Sequence, residues 1–289
     1  MISMCRMFPC AMILIVGPIL CEDLVEASAS WPNEPSGSAQ ISDHRFDVIN
    51  GDGWTCYCAN VRSVQDPTAP LSPSAVGQWT FDQGMSGGIS AGNYYKSVPN
   101  LKEVYFGYWW KPSNPWQGHS SNVNKISFIA GHTAGNFVME MFGPPGGPYR
   151  LMSVLEFSTS NGHLPASFGD DPGSRGLFPN VGGGGISLGQ WYRVEVYLKH
   201  STTPTSRDGI VRWWLNGVLV GSHTSVNFSS GPWTEFQLNP TWGGTGQTKS
   251  QTDYYWYDHV HVSAPNSSSS SDVPAGPPAA PRIMNVTVQ

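Results

Sequence analysis

The strongest pattern in the chain is strict alternation of apolar and polar positions between residues 190 and 221. Apolar residues occupy every second position from Val194 to Leu198 and again from Val211 to Leu215. This period of two predicts half-buried β-strands. The polar connection ends in Asp208-Gly209 and therefore predicts a hairpin, and Asn216-Gly217 predicts a second tight turn with a short return strand over 218–221.

Similar segments recur along the chain and predict a mainly antiparallel β protein. We expect further strands at 45–49, 76–81, 102–110, 125–130, 136–142, 151–157, 228–239 and 253–263, and a strand with a turn over 51–64. Residues 158–189 are interpreted as loop, because four consecutive glycines at 182–185 cannot form a stable strand interior. No segment has the spacing of an amphipathic helix. Roughly ten to twelve strands predict an all-β fold, a jelly-roll β-sandwich of two antiparallel sheets.

The composition of the chain predicts three segments. Residues 1–29 contain Arg6, an apolar run and the small residues Ala27-Ser28-Ala29, the layout of a secretory signal peptide cleaved after Ala29. Residues 30–263 hold the predicted jelly-roll domain. Residues 264–289, rich in serine, proline and alanine, predict a flexible tail or linker. We therefore expect a secreted, extracellular protein.

Charge limits the partners. Charged residues make up 12% of the chain and the formal net charge is −5, so there is no basic surface of the kind that binds nucleic acid. The apolar run in residues 8–20 is shorter than a membrane span, and no later segment is longer. We expect no nucleic-acid partner, no membrane span and a monomer.

The cysteines provide little evidence about the structure or the function. Cys5, Cys10 and Cys21 fall in the predicted signal, which leaves Cys56 and Cys58. A disulfide across one intervening residue is strained, so two ordinary cysteines are favoured, with an exposed bond as the alternative. Three N-x-S/T sequons begin at Asn227, Asn266 and Asn285.

The C-terminal half resembles the concanavalin A-like lectin and glucanase superfamily, which includes laminin-G-like modules and jelly-roll polysaccharide lyases. The matching pieces are Trp191-Tyr192-Arg193, Asp208-Gly209, Val211 to Val220 and Tyr255 to Val262. The resemblance implies the jelly-roll fold. It does not select a function, because the fold is shared by binding proteins and enzymes. Cation sites occur in this superfamily, so a structural calcium ion stays open although no cofactor is firmly implied and no metal ligands are assigned.

A glucanase-like hydrolase is disfavoured. It needs two carboxylates on one strand face, and Glu140 and Glu156 each stand alone on their predicted strands. A lyase acting on a uronate glycan by β-elimination needs a group that neutralises the carboxylate, a base and an acid. The candidates for these catalytic roles are His119, Arg193, Arg212, Tyr255, Tyr257 and His259. For the tyrosines and His259 the competing interpretation is that they only cover sheet surface.

Aromatic residues on predicted non-core faces are the best indication of function, because sugar rings stack on them while neighbouring polar groups bind hydroxyls. The candidate substrate-binding residues are Tyr105, Trp109, Trp116, Lys125, Glu140, Glu195, Tyr197 and Trp214. The competing interpretation is packing beneath loops. The sequence therefore predicts a secreted protein that binds a polysaccharide on the concave face of the jelly roll, with a polysaccharide lyase as the first alternative and a structural or adhesive surface protein as the second.

Overall fold

Two antiparallel sheets form the fold. The computed structural model describes residues 31–57, 59–131, 136–156, 176–203, 206–226 and 232–265, all in one compact unit. The predicted signal segment, the tail from residue 266, the three sequon asparagines, Cys58, His132 and His163 lie outside these ranges. The described chain contains strands and no helix, which confirms the predicted fold class.

Sixteen strands are described, more than the sequence predicts. Numbered in chain order they are β1 Ser38–His44, β2 Trp54–Tyr57, β3 Val61–Val64, β4 Val76–Phe81, β5 Asn93–Leu101, β6 Glu103–Pro112, β7 Lys125–Ala130, β8 Asn136–Phe142, β9 Tyr149–Glu156, β10 Gly176–Leu177, β11 Gly185–Ile186, β12 Tyr192–Lys199, β13 Gly209–Leu215, β14 Val218–Val226, β15 Trp233–Leu238 and β16 Asp253–Pro265.

Each sheet has eight strands. Sheet A has the order β14-β13-β12-β6-β16-β4-β3, with β1 also paired to β16. Sheet B has the order β10-β9-β8-β7-β15-β5-β2, with β11 also paired to β9. Every pairing is antiparallel.

The core lies between the sheets and takes alternate residues from each strand. Val194, Val196 and Leu198 are fully buried in one cluster with Phe236 and Leu238 from the opposite sheet. The apolar half of the alternating pattern therefore faces inward, as predicted, and the other half forms the outer faces of the sandwich.

The predicted hairpin is confirmed. β12 pairs with β13 from Val194–Leu215 to Lys199–Ile210, and Asn216 and Gly217 have φ angles of 52° and 81°. Asn216 and Gly217 thus form the left-handed turn that the Asn-Gly pair favours. The return strand β14 is longer than predicted and ends at Val226.

One strand prediction near the start of the chain is wrong, and two strands, β1 and β5, were not predicted. Residues 45–49 form a turn after β1, because Phe46 inserts into the core and the Ile49 carbonyl accepts a 2.5 Å hydrogen bond from the Tyr94 hydroxyl. β5 contains Pro99, which cannot donate to a sheet ladder. The structure accommodates Pro99 where the pairing of β5 with β15 is irregular.

No helix in the described ranges combines the length and the apolar character that a membrane span requires.

Candidate functional site

Sheet A carries most of the predicted site residues on its outer face, but the centre of that face is closed. Tyr105 and Glu195 are fully buried there. The Glu195 carboxylate accepts hydrogen bonds from the Tyr105 hydroxyl at 2.7 Å, Arg193 Nε at 3.2 Å, Asn33 N at 3.2 Å and Asn33 Nδ2 at 2.9 Å. With its oxygens engaged in this way, Glu195 holds the chain together and offers little to a ligand.

Residues 31–37, here called the N-terminal cover, close this face. The Trp31 ring stacks on His261 with centroids 5.6 Å apart and lies over Gly107, where a Cβ atom would be 2.5 Å from Trp31 Cε3. Glu34 Oε1 lies 3.0 Å from His261 Nε2. A side chain at position 107 would displace the cover, so the glycine is needed for this close approach.

A proline-rich loop, residues 65–74, covers a second part of sheet A. The carboxylate of Asp258 accepts hydrogen bonds from Leu71 N at 2.7 Å and Ser72 N at 3.0 Å, and Ser72 Oγ lies 2.8 Å from His259 Nε2. Asp258 therefore holds a loop. A bulge with His259 at φ 52° separates Asp258 from Val260, so Asp258 lies on the outer face although Val260, two residues later, lies in the core.

The same loop is fixed by a cation between two indole rings. Lys111 pairs with Asp66, and its Nζ lies 4.8 Å from the Trp191 ring and 4.7 Å from the Trp256 ring. The ion pair and the two ring contacts anchor the loop to β6, the start of β12 and β16.

The other predicted binding residues of sheet A lie at the margin of the covered area. Tyr197 is buried and donates a 2.5 Å hydrogen bond to Glu103. Trp109, Trp214 and Arg212 are half-buried. These side chains therefore do not form one open groove.

Four predicted residues lie inside the protein. The Trp116 and Tyr255 rings stack with centroids 4.4 Å apart, and the Tyr257 hydroxyl donates to the Ile126 carbonyl at 2.8 Å. Burial raises the pKa of both Tyr255 and Tyr257 well above the ordinary value. His119 packs against Trp242, and burial lowers its pKa. The interpretation of Trp116 as a non-core aromatic residue is wrong, because the aromatic core encloses its ring.

Sheet B presents a different outer face, with an exposed aromatic pair at one side. The Tyr57 ring is 72% exposed and stacks on Tyr95 with centroids 5.8 Å apart and an interplanar angle of 23°. Tyr95 pairs in register with Thr55 on β2 and with Gln237 on β15. The two tyrosine rings therefore form a flat, rigid aromatic surface with hydroxyl groups at its edge.

Polar side chains run along the neighbouring strand at every second position. Asn239 Nδ2 donates to Gln237 Oε1 at 3.4 Å, and Gln237 Nε2 donates to Glu235 Oε1. Among the described residues, no group donates to Asn239 Oδ1. We call the set Tyr57, Tyr95, Glu235, Gln237 and Asn239 the tyrosine–amide site.

The middle of this face combines an apolar cluster with charge. Phe128, Val138, Met152 and Val154 form a cluster at most 8% exposed. Lys125 and Glu140, both predicted binding residues, are cross-strand partners beside it, and Lys125 Nζ lies 5.6 Å from the Phe128 ring.

The far side of the face carries an arginine on two aromatic rings. Arg150 Cζ lies 4.8 Å from the Phe178 ring and 5.8 Å from the Phe142 ring, and the two rings meet edge to face. Arg150 itself is exposed. We call these three residues the arginine platform.

Two observations concern metals and cysteines. In the described ranges, no three side chains of His, Cys, Asp or Glu stand together as a metal-binding group. Cys56 is disulfide-bonded, so the interpretation of two ordinary cysteines is wrong. Every other cysteine lies outside the described residues.

The sandwich of two antiparallel sheets is the fold that the resemblance in the sequence implies. Neither a protein-family model nor a curated protein matches the chain. Among solved structures it is similar to the alginate lyase vAL-1 from Chlorella virus, with 15% identity, a TM-score of 0.53, and coverage of 78% of this chain and 100% of that one. It is also similar to the cellulose induced protein Cip1, with 15% identity, a TM-score of 0.44, and 76% and 89% coverage. A third is the Emp47p carbohydrate recognition domain, with 10% identity, a TM-score of 0.45, and 80% and 98% coverage. At these identities the similarity defines the fold alone.

Of the residues on the sheet B face, only Lys125 and Glu140 were named as candidates from the sequence. Tyr95 was missed because β5 was not predicted, although its apolar residues Tyr94 and Val98 stand an even number of positions apart. Gln237 and Asn239 alternate with the core residues Phe236 and Leu238, which is the signal that could have identified them.

Proposed function

We propose that this protein binds a polysaccharide on the outer face of sheet B through the tyrosine–amide site. The observation that carries the proposal is the exposed Tyr57 ring stacked on Tyr95 beside a line of amide and carboxylate groups. Sugar rings pack their C–H faces against such rings, and side-chain amides bind their hydroxyls. Sheet A is the weaker candidate, because the N-terminal cover and the proline-rich loop occupy its outer face.

The protonation of Tyr95 favours binding over proton abstraction. The hydrogen bond with Tyr57 is the main reason that the Tyr95 pKa lies above its ordinary value, and the nearby Glu235 charge adds to the effect. Tyr95 therefore stays a neutral phenol at physiological pH. A neutral phenol donates hydrogen bonds to sugar oxygens and is a poor base.

Binding can be tested by retardation in gels that contain one polysaccharide each, followed by calorimetry. We expect Tyr57→Ala to weaken binding about tenfold, because aromatic anchors of this kind dominate affinity. Tyr57→Phe keeps the ring and serves as the conservative variant, and Tyr254→Ala on sheet A is the matched control. Unchanged affinity in Tyr57→Ala, or equal loss in Tyr254→Ala, would contradict the proposed site.

A polysaccharide lyase is the second candidate, favoured by the cations Lys125 and Arg150 on the same face of sheet B. It ranks lower because the predicted acid–base residues His119, Tyr255, Tyr257 and His259 are each at most 3% exposed. The test is ultraviolet absorbance of the unsaturated sugar that β-elimination produces from uronate polysaccharides. Rising absorbance that Lys125→Ala abolishes would replace the binding proposal with a lyase.

We also propose that the protein is secreted after removal of residues 1–29. The support is the signal-like sequence before Ser30. Mass spectrometry of protein from the culture medium should find the N-terminus at Ser30, and an intact N-terminus would contradict the proposal.

A further inference from the structure

The arginine platform has the features of an anion-binding point. Arg150 Cζ lies 4.8 Å from the Phe178 ring and 5.8 Å from the Phe142 ring, so cation–π contacts with both rings restrict the guanidinium. Among the residues that the structure describes, no carboxylate forms an ion pair with Arg150. The side chain is exposed and its position is already ordered by the rings.

These features suit a planar or tetrahedral anion. A guanidinium presents its N–H donors as a fork that matches two oxygens of one carboxylate or sulfate group. Because the rings already restrict the side chain, less conformational entropy is lost when an anion binds. A lysine would offer a flexible point charge and would not match the same geometry.

The platform lies on the face that carries the tyrosine–amide site. Arg150 is on β9 and Gln237 on β15, three strand positions apart, which is about 14 Å across the sheet. The register aligns Gln237 with Val154, so Arg150 is also displaced by four residues, about 13 Å, along the strand direction. A polymer bound diagonally across the strands can therefore reach both regions. The structure thus offers stacking at one side of the face and a positive charge at the other.

We propose that Arg150 makes this protein selective for glycans that carry carboxylate or sulfate groups. The inference rests on the proposed function and names the class of polysaccharide that the same face binds. Carboxylate and sulfate present the same oxygen geometry to a guanidinium, so the experiment must separate them.

Two matched pairs of polymers provide the test. Polygalacturonate and its fully methyl-esterified form share one backbone and differ in charge, and dextran sulfate and dextran form the second pair. We expect tighter binding to the charged member of at least one pair. In Arg150→Gln, binding to that member should fall about ten- to hundredfold, the usual range for a charge-assisted pair. Binding to the neutral member should stay the same.

Controls separate this inference from the proposed function. Arg150→Lys should retain part of the preference, and Arg62→Gln, an exposed arginine of sheet A, should retain all of it. Equal binding of charged and neutral polymers by the wild type, or unchanged charged-polymer binding by Arg150→Gln, overturns the inference. If Tyr57→Ala still loses binding in that case, the proposed function stands. If Tyr57→Ala also binds normally, the proposed function fails as well.

Discussion

At the scale of single residues, burial decides which polar groups serve the fold. Glu195 and Asp258 are both fully buried, and each accepts hydrogen bonds from backbone or side-chain donors of a covering segment. Lys249 is 2% exposed, pairs with Asp253 at 2.6 Å and lies 4.6 Å from the Trp242 ring. Removing one partner of such a group leaves an uncompensated charge in the interior. We therefore infer that these residues stabilise the fold.

His259 should make the fold sensitive to acid. Burial lowers the pKa of His259 to about 4, below its ordinary value. The folded state therefore favours the neutral ring. The stability that this contributes is present above the unfolded pKa of about 6.5 and is lost as the pH falls toward 4. The loss is on the order of 3 kcal/mol when complete.

The variant His259→Asn tests this directly. Asparagine tolerates the left-handed backbone at position 259 and does not titrate. We expect the gap in melting temperature between wild type and variant to narrow as the pH is lowered from 7 to 4. A gap that stays constant would show that His259 is not the source of the acid sensitivity.

The residue scale is also where sequence reasoning was weakest. Glu195, Tyr105 and Tyr197 alternate with core residues, and alternation alone places them on an outer face without saying whether another segment covers it. The cover begins at Trp31, far away along the chain, so no local pattern could show it.

At the scale of elements, the N-terminal cover behaves as part of sheet A although it is not a strand. Trp31 is 8% exposed and packs on Gly107 and His261. Asn33 supplies two of the hydrogen bonds that satisfy Glu195. Loss of the cover would leave the buried Glu195 carboxylate with fewer hydrogen-bond donors. The packing of the cover and its hydrogen bonds to Glu195 therefore stabilise the fold together.

Trp31→Ala should therefore destabilise the protein strongly. Truncation of a buried tryptophan typically costs about 3–5 kcal/mol. Urea denaturation measures the change, with Val218→Ala, at a position 63% exposed, as the control. A loss below about 1 kcal/mol would mean that the cover is held by other contacts.

The elements that sequence could predict were those with local signals. The β12–β13 hairpin has uninterrupted alternation and an Asn-Gly turn after it, and the structure confirms both. β10 and β11 have two residues each, and each is a strand because it pairs with β9. No pattern in so few residues distinguishes a strand from a loop.

At the scale of the molecule, the two outer faces differ in what remains open. Sheet A is occupied by segments of its own chain, whereas sheet B presents an exposed tyrosine and an exposed arginine. The sequence predicted the sandwich because the fold follows from alternation. It did not predict which face is open, because that depends on how distant segments pack.

A bound polysaccharide should raise the melting temperature of the whole domain, because a ligand that binds only the folded state stabilises it by mass action. At a ligand concentration of 100 times Kd the stabilisation is about 2.7 kcal/mol. We expect the rise in the wild type and a smaller one in Tyr57→Ala at the same polymer concentration. Equal shifts in both proteins would place binding elsewhere.

The pairing of β1 with β16 fixes where the described chain ends. Pro265, the last described residue, lies opposite Ser38, so the described chain ends in sheet A, on the opposite side of the sandwich from the tyrosine–amide site. A tether attached directly after Pro265, such as a biosensor tag or a fused partner, would therefore start from sheet A and leave the sheet B face turned toward the solution. Immobilised at this point, the protein would display its proposed binding surface to a polymer in the surrounding liquid.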